Sequence, residues 1–166
     1  MAKVLISDKL SDKAEEIFKK NNINVTINTS LSPEELSKTI NDYDGLAIRS
    51  NTKVTKEILK NASNLKVIGR AGIGVDNVDI EAATANGTIV MNTPYGNSIT
   101  TAEHTIALMM SLARNIPNAN TSTHLGKWEK SKYTGTELYS KILGMIGCGN
   151  IGSIVADRAR GLKMHI

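Results

Sequence analysis

Short runs rich in isoleucine and valine alternate with amphipathic segments over the first 92 residues, and this alternation limits the possible folds more than any other feature. Apolar runs of this length are typical of strands in a buried parallel sheet, and the amphipathic segments between them are typical of crossover helices. The pattern therefore predicts an α/β protein built on an open parallel sheet. Strands are predicted at residues 3–7, 23–28, 45–48, 65–69 and 88–92, with helices beginning near Ser11, Ser32, Thr55 and Ile80.

Several helix boundaries carry local signals. Ser32 is followed by Pro33 and by Glu35, the pattern of a capping box with proline in the first turn. Gly87 follows the helix predicted over residues 80–86 and is expected to adopt the left-handed conformation that ends it. Apolar residues at helical spacing are predicted to face the core from the first two helices: Leu10, Ala14, Ile17, Phe18, Leu36 and Ile40.

The pattern changes after residue 92, where a turn-rich connector leads into a long helix predicted over residues 98–114. This helix is apolar nearly all round and carries six large apolar side chains, each worth about 1.5 to 3 kcal/mol on burial. Leaving them in water would cost on the order of 10 kcal/mol, about the whole stability of a domain. We therefore predict that the helix packs between domains or between subunits. The alternative is the central helix of a single domain.

A glycine motif marks a second structural unit. After an irregular stretch, residues 141–146 are predicted as a strand, followed by the turn 147–152 and by a helix that runs to Arg160 and is capped by Gly161. Residues 163–166 are predicted to begin another strand. The turn has the form G-x-G-x-x-G, which between a strand and a helix is the fingerprint of a dinucleotide site. A plain glycine-bearing turn is the alternative, and the sequence leaves NAD and NADP undistinguished.

Two arginines end predicted strands. Arg49 is followed by Ser50, and Arg70 is followed by a loop that contains Gly72 and Gly74. Ligands of open α/β sheets gather outside the carboxyl ends of the strands, and a guanidinium group can bind phosphate or carboxylate with two hydrogen bonds. For each arginine alone, a structural ion pair is the alternative. Their shared position, with the Ser50 hydroxyl and the glycine N–H groups, predicts an anion cradle.

Composition excludes several classes of function. Twenty Lys and Arg against 16 Asp and Glu give a net charge of +4 that is scattered along the chain, so no nucleic-acid partner is predicted. No segment has the length of a membrane span or the apolar core of a secretory signal, so no membrane partner and a cytoplasmic location are expected. Cys148 is the only cysteine, which excludes an internal disulfide and a cysteine-ligated zinc module, and no metal site is predicted. Trp128 is predicted to pack, and no catalytic role is assigned to His104, His124 or His165.

Several motifs together resemble the D-isomer-specific 2-hydroxyacid dehydrogenases: RSNTKVT (49–55), GRAGIGVDNVD (69–79), NTPYGNS (92–98), AEHT (102–105), GKWE, GTEL and GMIGCGNIG (144–152). The resemblance covers nearly the whole chain. It implies a flavodoxin-like substrate domain over residues 1–97, followed by a Rossmann domain that begins at residue 98 and is incomplete at residue 166. It also implies a homodimer or higher homo-oligomer, formed through the helix at 98–114.

The resemblance implies roles for particular residues. Those implied to bind a phosphorylated 2-hydroxy acid are Arg49, Ser50, Arg70, Gly72, Gly74 and Asn97, and those implied to bind NAD are Ile73, Gly147, Gly149, Asn150, Ile151 and Gly152. The family's substrate-orienting Arg and its catalytic His–Glu pair have no counterpart here. The chain is therefore expected to be the N-terminal portion of a longer dehydrogenase and to be inactive alone. The alternative is a short non-enzymatic protein that binds a phosphorylated metabolite or a dehydrogenase subunit.

Overall fold

All five strands predicted for the first 92 residues are present in the computed structural model, which describes residues 1–166 in full. They form one parallel sheet in the order β2-β1-β3-β4-β5, which is the flavodoxin-like order and confirms the predicted fold class. The strands are β1 (Lys3–Ile6), β2 (Asn24–Ile27), β3 (Gly45–Ile48), β4 (Val67–Arg70) and β5 (Ile89–Asn92). The helices between them are α1 (Asp12–Lys20), α2 (Pro33–Thr39), a short 3₁₀ turn (Ile40–Asp42), α3 (Lys56–Lys60) and α4 (Ile80–Ala85).

The predicted capping signals are present. The Ser32 hydroxyl accepts a hydrogen bond from the Glu35 N–H at 3.2 Å, and the Glu35 carboxylate accepts one from the Ser32 N–H at 2.8 Å. Gly87 has φ +74°, the left-handed conformation expected after α4. Strand β4 begins two residues later than predicted because Leu65 closes the turn after α3, where its N–H donates to the Ala62 carbonyl.

Alternate residues of the central strands face two apolar layers. Leu5, Leu46 and Ile68 pack on one face with Leu36 of α2 and Ile40 of the 3₁₀ turn, as predicted. Val4, Ile6 and Ala47 face the opposite side, where Leu10 and Phe18 cover them. The prediction for Ile17 is wrong, since its side chain is 59% exposed. Successive residues of an α-helix are rotated by about 100°, so Ile17 points away from the sheet when its neighbour Phe18 packs on it.

The chain divides into two units, Met1–Gly96 with the sheet and Asn97–Ile166 with helices. In the second unit, the predicted long helix is confirmed as α5 (Ser98–Ala113), and it packs against the last helix, α7 (Asn150–Gly161). Between them lie α6 (Ile116–His124) and a short 3₁₀ turn (Lys130–Tyr133), both in a stretch predicted to be irregular. None of the helices has the length and hydropathy needed to cross a bilayer.

The prediction of two strands in the second unit, at residues 141–146 and 163–166, is wrong. A single bridge joins Ile142 to His165, and no longer ladder forms. Ile142 and Ile146 are 81% and 107% exposed. The apolar run 141–146 has the composition of a buried strand, but its own unit contains no sheet that could bury it. Gly161 is also not the cap of α7, because it lies within the helix and the left-handed residue is Lys163.

Trp128 was predicted to pack, and this too is wrong. Its side chain is 85% exposed. It lies in the irregular segment between α6 and the second 3₁₀ turn, where no element of its unit covers it. The reason is that burial of a large side chain outside a helix or strand depends on which element lies over the loop, and the local sequence does not specify that.

Candidate functional site

Parallel pairing places the carboxyl ends of β1, β3, β4 and β5 at one edge of the sheet. Asp8 follows β1, Arg49 follows β3, and Thr93 follows β5. Because the register pairs Ile48 with Arg70, the segments that follow β3 and β4 begin side by side. The two arginines of the predicted anion cradle are thus brought to one edge, and the Arg70 Nε donates to the Arg49 carbonyl oxygen at 3.2 Å.

The turn at residues 49–52 is held by two side chains that the sequence analysis did not identify. The carboxylate of Asp8, which is 4% exposed, accepts from the Arg49 N–H at 2.6 Å and from the Thr52 N–H at 3.2 Å. It also accepts from the Thr52 hydroxyl at 3.0 Å. The Asn77 Nδ2 donates to the Arg49 carbonyl oxygen at 2.8 Å and to the Thr52 carbonyl oxygen at 2.7 Å. The position that drew attention to the arginines, just after a predicted strand, is shared by Asp8, which follows the strand predicted over residues 3–7.

Arg70 is largely committed to its own loop. Its side chain is 12% exposed, its Nη1 donates to the Gly74 carbonyl oxygen, and its Nη2 lies 3.6 Å from a carboxylate oxygen of Asp76. A Cβ at Gly72 or at Gly74 would lie 3.2 Å from the Arg70 Nη1. These two glycines therefore let the guanidinium group lie against the loop. The structural ion pair weighed as an alternative is present for Arg70.

Arg49 and Ser50, in contrast, are exposed, and Arg49 takes part in none of the chain's ion pairs. A positive side chain on a fixed turn, with no internal partner to give up, is suited to receive a ligand anion. The structure brings these groups together at the sheet edge. Whether they bind substrate stays a prediction.

Other predicted residues have clear positions as well. Ile73 lies in the loop after β4, where its carbonyl oxygen accepts from the Asn92 Nδ2 at 2.6 Å. Asn97 is exposed and precedes the first residue of α5, so it belongs to the second unit. A hollow of about 180 Å³ opens near the 49–52 turn, but its lining contains neither of the two arginines.

The turn at residues 147–152 has the backbone geometry of its motif. Gly147 has φ +92°, and a Cβ at Gly152 would lie 2.6 Å from the Gly147 carbonyl oxygen, so both positions require glycine. Gly149 immediately precedes α7, and Asn150 and Ile151 form its first turn. The N–H groups of this turn, with the positive end of the helix dipole, could hold the pyrophosphate of a dinucleotide.

This fold and these motifs match a known family. The D-isomer specific 2-hydroxyacid dehydrogenase catalytic domain matches residues 4–159, nearly the whole chain. The chain therefore belongs to the D-isomer-specific 2-hydroxyacid dehydrogenase family, which confirms the resemblance. Within the family, it is similar to the D-3-phosphoglycerate dehydrogenase of Archaeoglobus fulgidus, at 48% identity over 164 residues, and to that of Homo sapiens, at 49% over 164 residues. These matches cover 99% of this chain and 31% of each relative, so the chain spans under a third of their length.

Solved structures agree with the fold. The TT0316 protein of Thermus thermophilus has a TM-score of 0.86 and 32% identity over 98% of this chain and 54% of its own. The 3-phosphoglycerate dehydrogenase of Entamoeba histolytica, solved with bound NAD⁺, has a TM-score of 0.77 and 33% identity over 99% of this chain and 52% of its own. Both similarities extend across both units of the chain.

Proposed function

We propose that this chain is the N-terminal portion of an NAD-dependent D-3-phosphoglycerate dehydrogenase, which oxidises D-3-phosphoglycerate to 3-phosphohydroxypyruvate in cytoplasmic L-serine biosynthesis. The observation that carries this proposal is the 48% identity to the A. fulgidus dehydrogenase over 99% of the chain. The exposed Arg49 at the carboxyl edge of the sheet supports it, because a phosphorylated acid needs a cation placed where ligands of such sheets bind.

The proposed roles divide between the two units. In the first unit, Arg49, Ser50 and the loop after β4 would receive the phosphate and carboxylate groups of the substrate. In the second, the 147–152 turn would hold the pyrophosphate of NAD, with Asn150 and Ile151 contributing N–H groups. NAD when bound supplies the hydride acceptor, and the protein supplies orientation and charge.

We further propose that residues 1–166 alone do not turn over substrate, because the family's substrate-orienting Arg and its His–Glu pair have no counterpart among them. The test joins this chain to the part of the A. fulgidus relative that lies beyond the matched region; this protein is called the completed enzyme below. We expect NADH formation by the completed enzyme and none by the 166-residue chain. We also expect the completed enzyme to prefer D-3-phosphoglycerate to D-glycerate by about 100-fold in kcat/KM, since the phosphate contacts are charge-assisted.

Two results would count against this assignment. Equal kcat/KM values for the phosphorylated and unphosphorylated acids would show that the chain does not recognise the phosphate group of the substrate. A completed enzyme that forms no NADH, together with a 166-residue chain that binds D-3-phosphoglycerate, would support the non-enzymatic binding protein instead.

We also propose that the complete protein self-associates through α5. Leu108 and Leu112 lie one turn apart on the same face of this helix and are 58% and 81% exposed, and neighbouring exposed apolar side chains are typical of interfaces. Replacing Leu108 and Leu112 by aspartate should convert the completed enzyme from a dimer to a monomer in sedimentation velocity, because a buried unpaired charge costs several kcal/mol. Leu125→Asp, at a 68% exposed position outside α5, is the control and should leave the dimer intact. A dimer that survives both α5 substitutions would exclude this interface.

A further inference from the structure

Asp8 and Asn77 both bind the backbone of the same two residues of the 49–52 turn, Arg49 and Thr52. The Asp8 carboxylate accepts from the N–H groups of Arg49 and Thr52, and the Asn77 amide donates to the carbonyl oxygens of the same residues. Two side chains thus satisfy the backbone donors and acceptors at both ends of the turn. Such a turn cannot rotate its end peptides without breaking hydrogen bonds to buried or half-buried partners.

The middle of the turn is left free as a result. Ser50 and Asn51 are exposed, and neither N–H group donates a backbone hydrogen bond. Successive unpaired N–H groups in a fixed turn attract anions, and the guanidinium group of Arg49 belongs to the same turn. The donors suited to a phosphate are therefore all on the segment whose ends Asp8 and Asn77 fix.

We propose that Asp8 and Asn77 are positioning residues that hold the 49–52 turn in the conformation that binds the phosphate of the substrate. This inference rests on the proposed function of the chain. Neither residue contacts the anion in this arrangement. Each acts through the backbone of Arg49 and Thr52.

Two energetic costs at this turn support a functional origin. Asp8 buries a carboxylate, and the Oδ1 of Asn77 is buried without a hydrogen-bond partner, which costs about 1 to 3 kcal/mol. Violations of polar satisfaction in native proteins concentrate at functional sites. The Nδ2 of Asn77 must face the two carbonyl oxygens to hold the turn, and this orientation leaves its Oδ1 unpaired.

Asn77 also shares an acceptor with Arg70. The Arg49 carbonyl oxygen accepts from the Asn77 Nδ2 at 2.8 Å and from the Arg70 Nε at 3.2 Å. If Arg70 turns toward a substrate carboxylate, the Arg49 carbonyl oxygen keeps its bond from Asn77. The turn can therefore stay in place while Arg70 changes partners.

The experiment titrates D-3-phosphoglycerate into the ¹⁵N-labelled 166-residue chain and follows the amide signals of Ser50 and Asn51. Asp8→Asn and Asn77→Asp are isosteric. The first replaces one of the two acceptor oxygens of the carboxylate by an NH2 donor, and the second removes the NH2 donors from the turn. Matched controls lie at the amino ends of the strands: Asp44→Asn, whose carboxylate accepts from the Lys3 N–H at 3.0 Å, and Asn86→Asp, whose Nδ2 donates to the Ala62 carbonyl oxygen at 2.9 Å.

We expect Asp8→Asn and Asn77→Asp each to raise Kd by at least about tenfold, and amide hydrogen exchange to quicken at Arg49 and Thr52. The controls lose hydrogen bonds of the same kind, so they can lower Tm, but they should keep Kd within about twofold of the unsubstituted chain. If Asp8 and Asn77 contributed only to stability, the Kd values of their variants would not differ from those of the control variants.

The positioning role would be overturned if the unsubstituted chain binds and both site variants bind within about twofold of it. Absence of binding by the unsubstituted chain would instead overturn the anion site of the proposed function. Should Asp8→Asn fail to fold, Thr52→Val removes only the hydroxyl contacts of Thr52 with Asp8 and Ser7. It should raise Kd about threefold, and an unchanged Kd would again overturn the role.

Discussion

Replacing Arg49 by alanine in the completed enzyme should raise the KM for D-3-phosphoglycerate by about 100-fold and leave the KM for NAD within about twofold. The loss of one charge-assisted contact to phosphate accounts for about 2 to 3 kcal/mol. Arg49 is exposed and has no internal ion pair to lose, and its backbone is held by Asp8 and Asn77. The fold should therefore be unaffected, and steady-state kinetics with each substrate varied in turn measures the effect.

Two further substitutions test the second arginine of the cradle and provide a control. Arg70→Ala should also raise the KM for D-3-phosphoglycerate far more than that for NAD. It should lower Tm as well, because it removes the hydrogen bonds to the Gly74 and Arg49 carbonyl oxygens. Arg160→Ala, at an exposed position of α7, is the control for a lost surface charge and should change neither KM. If Arg49→Ala raises both KM values equally, the anion cradle is wrongly assigned.

Replacing Gly152 by alanine should raise the Kd for NAD in the completed enzyme by about 100-fold or more, as measured by calorimetric titration. The added Cβ would lie 2.6 Å from the Gly147 carbonyl oxygen, a distance that Cβ atoms do not tolerate, so the turn must move away from α7. The N–H groups proposed to face the pyrophosphate would move with it. Binding of D-3-phosphoglycerate to the first unit should not change.

Gly161 offers a matched control on the same helix. A Cβ there meets nothing within 4 Å, so Gly161→Ala should leave NAD binding unchanged and stabilise α7 by up to about 1 kcal/mol. Equal NAD affinities in the two alanine variants would show that the 147–152 turn is not the pyrophosphate site.

Local signals accounted for most of the first unit. The Ser32 capping box, Gly87 and the isoleucine- and valine-rich runs predicted the caps and the strands, because each signal acts within a few residues. Helix α6 was missed since its sequence, Ile-Pro-Asn-Ala-Asn-Thr-Ser-Thr-His, is rich in weak helix formers. For the apolar run at 141–146, the sequence predicted an element that does not form. A strand needs a neighbouring strand, and local composition does not supply one.

The candidate site was predictable only in part. That arginines after β3 and β4 meet at one edge follows from parallel pairing, and the register confirmed that Ile48 lies beside Arg70. The commitment of Arg70 to its own loop was not predictable, because it depends on how the 71–74 segment closes around the guanidinium group. Gly72 and Gly74, proposed from the family resemblance to lie near the substrate, also provide the space for that side chain.

The amino-acid sequence by itself determined the parallel sheet, the family and the sheet edge at which Arg49 and Arg70 lie, since these depend on periodicity and on short motifs. Only the tertiary structure decided which side chains hold the 49–52 turn. Asp8 is 41 residues from Arg49, and Asn77 is 28 residues from it. Hydrogen bonds over such separations exist only when packing has fixed the distance and angle between two distant segments, and no local pattern encodes that geometry.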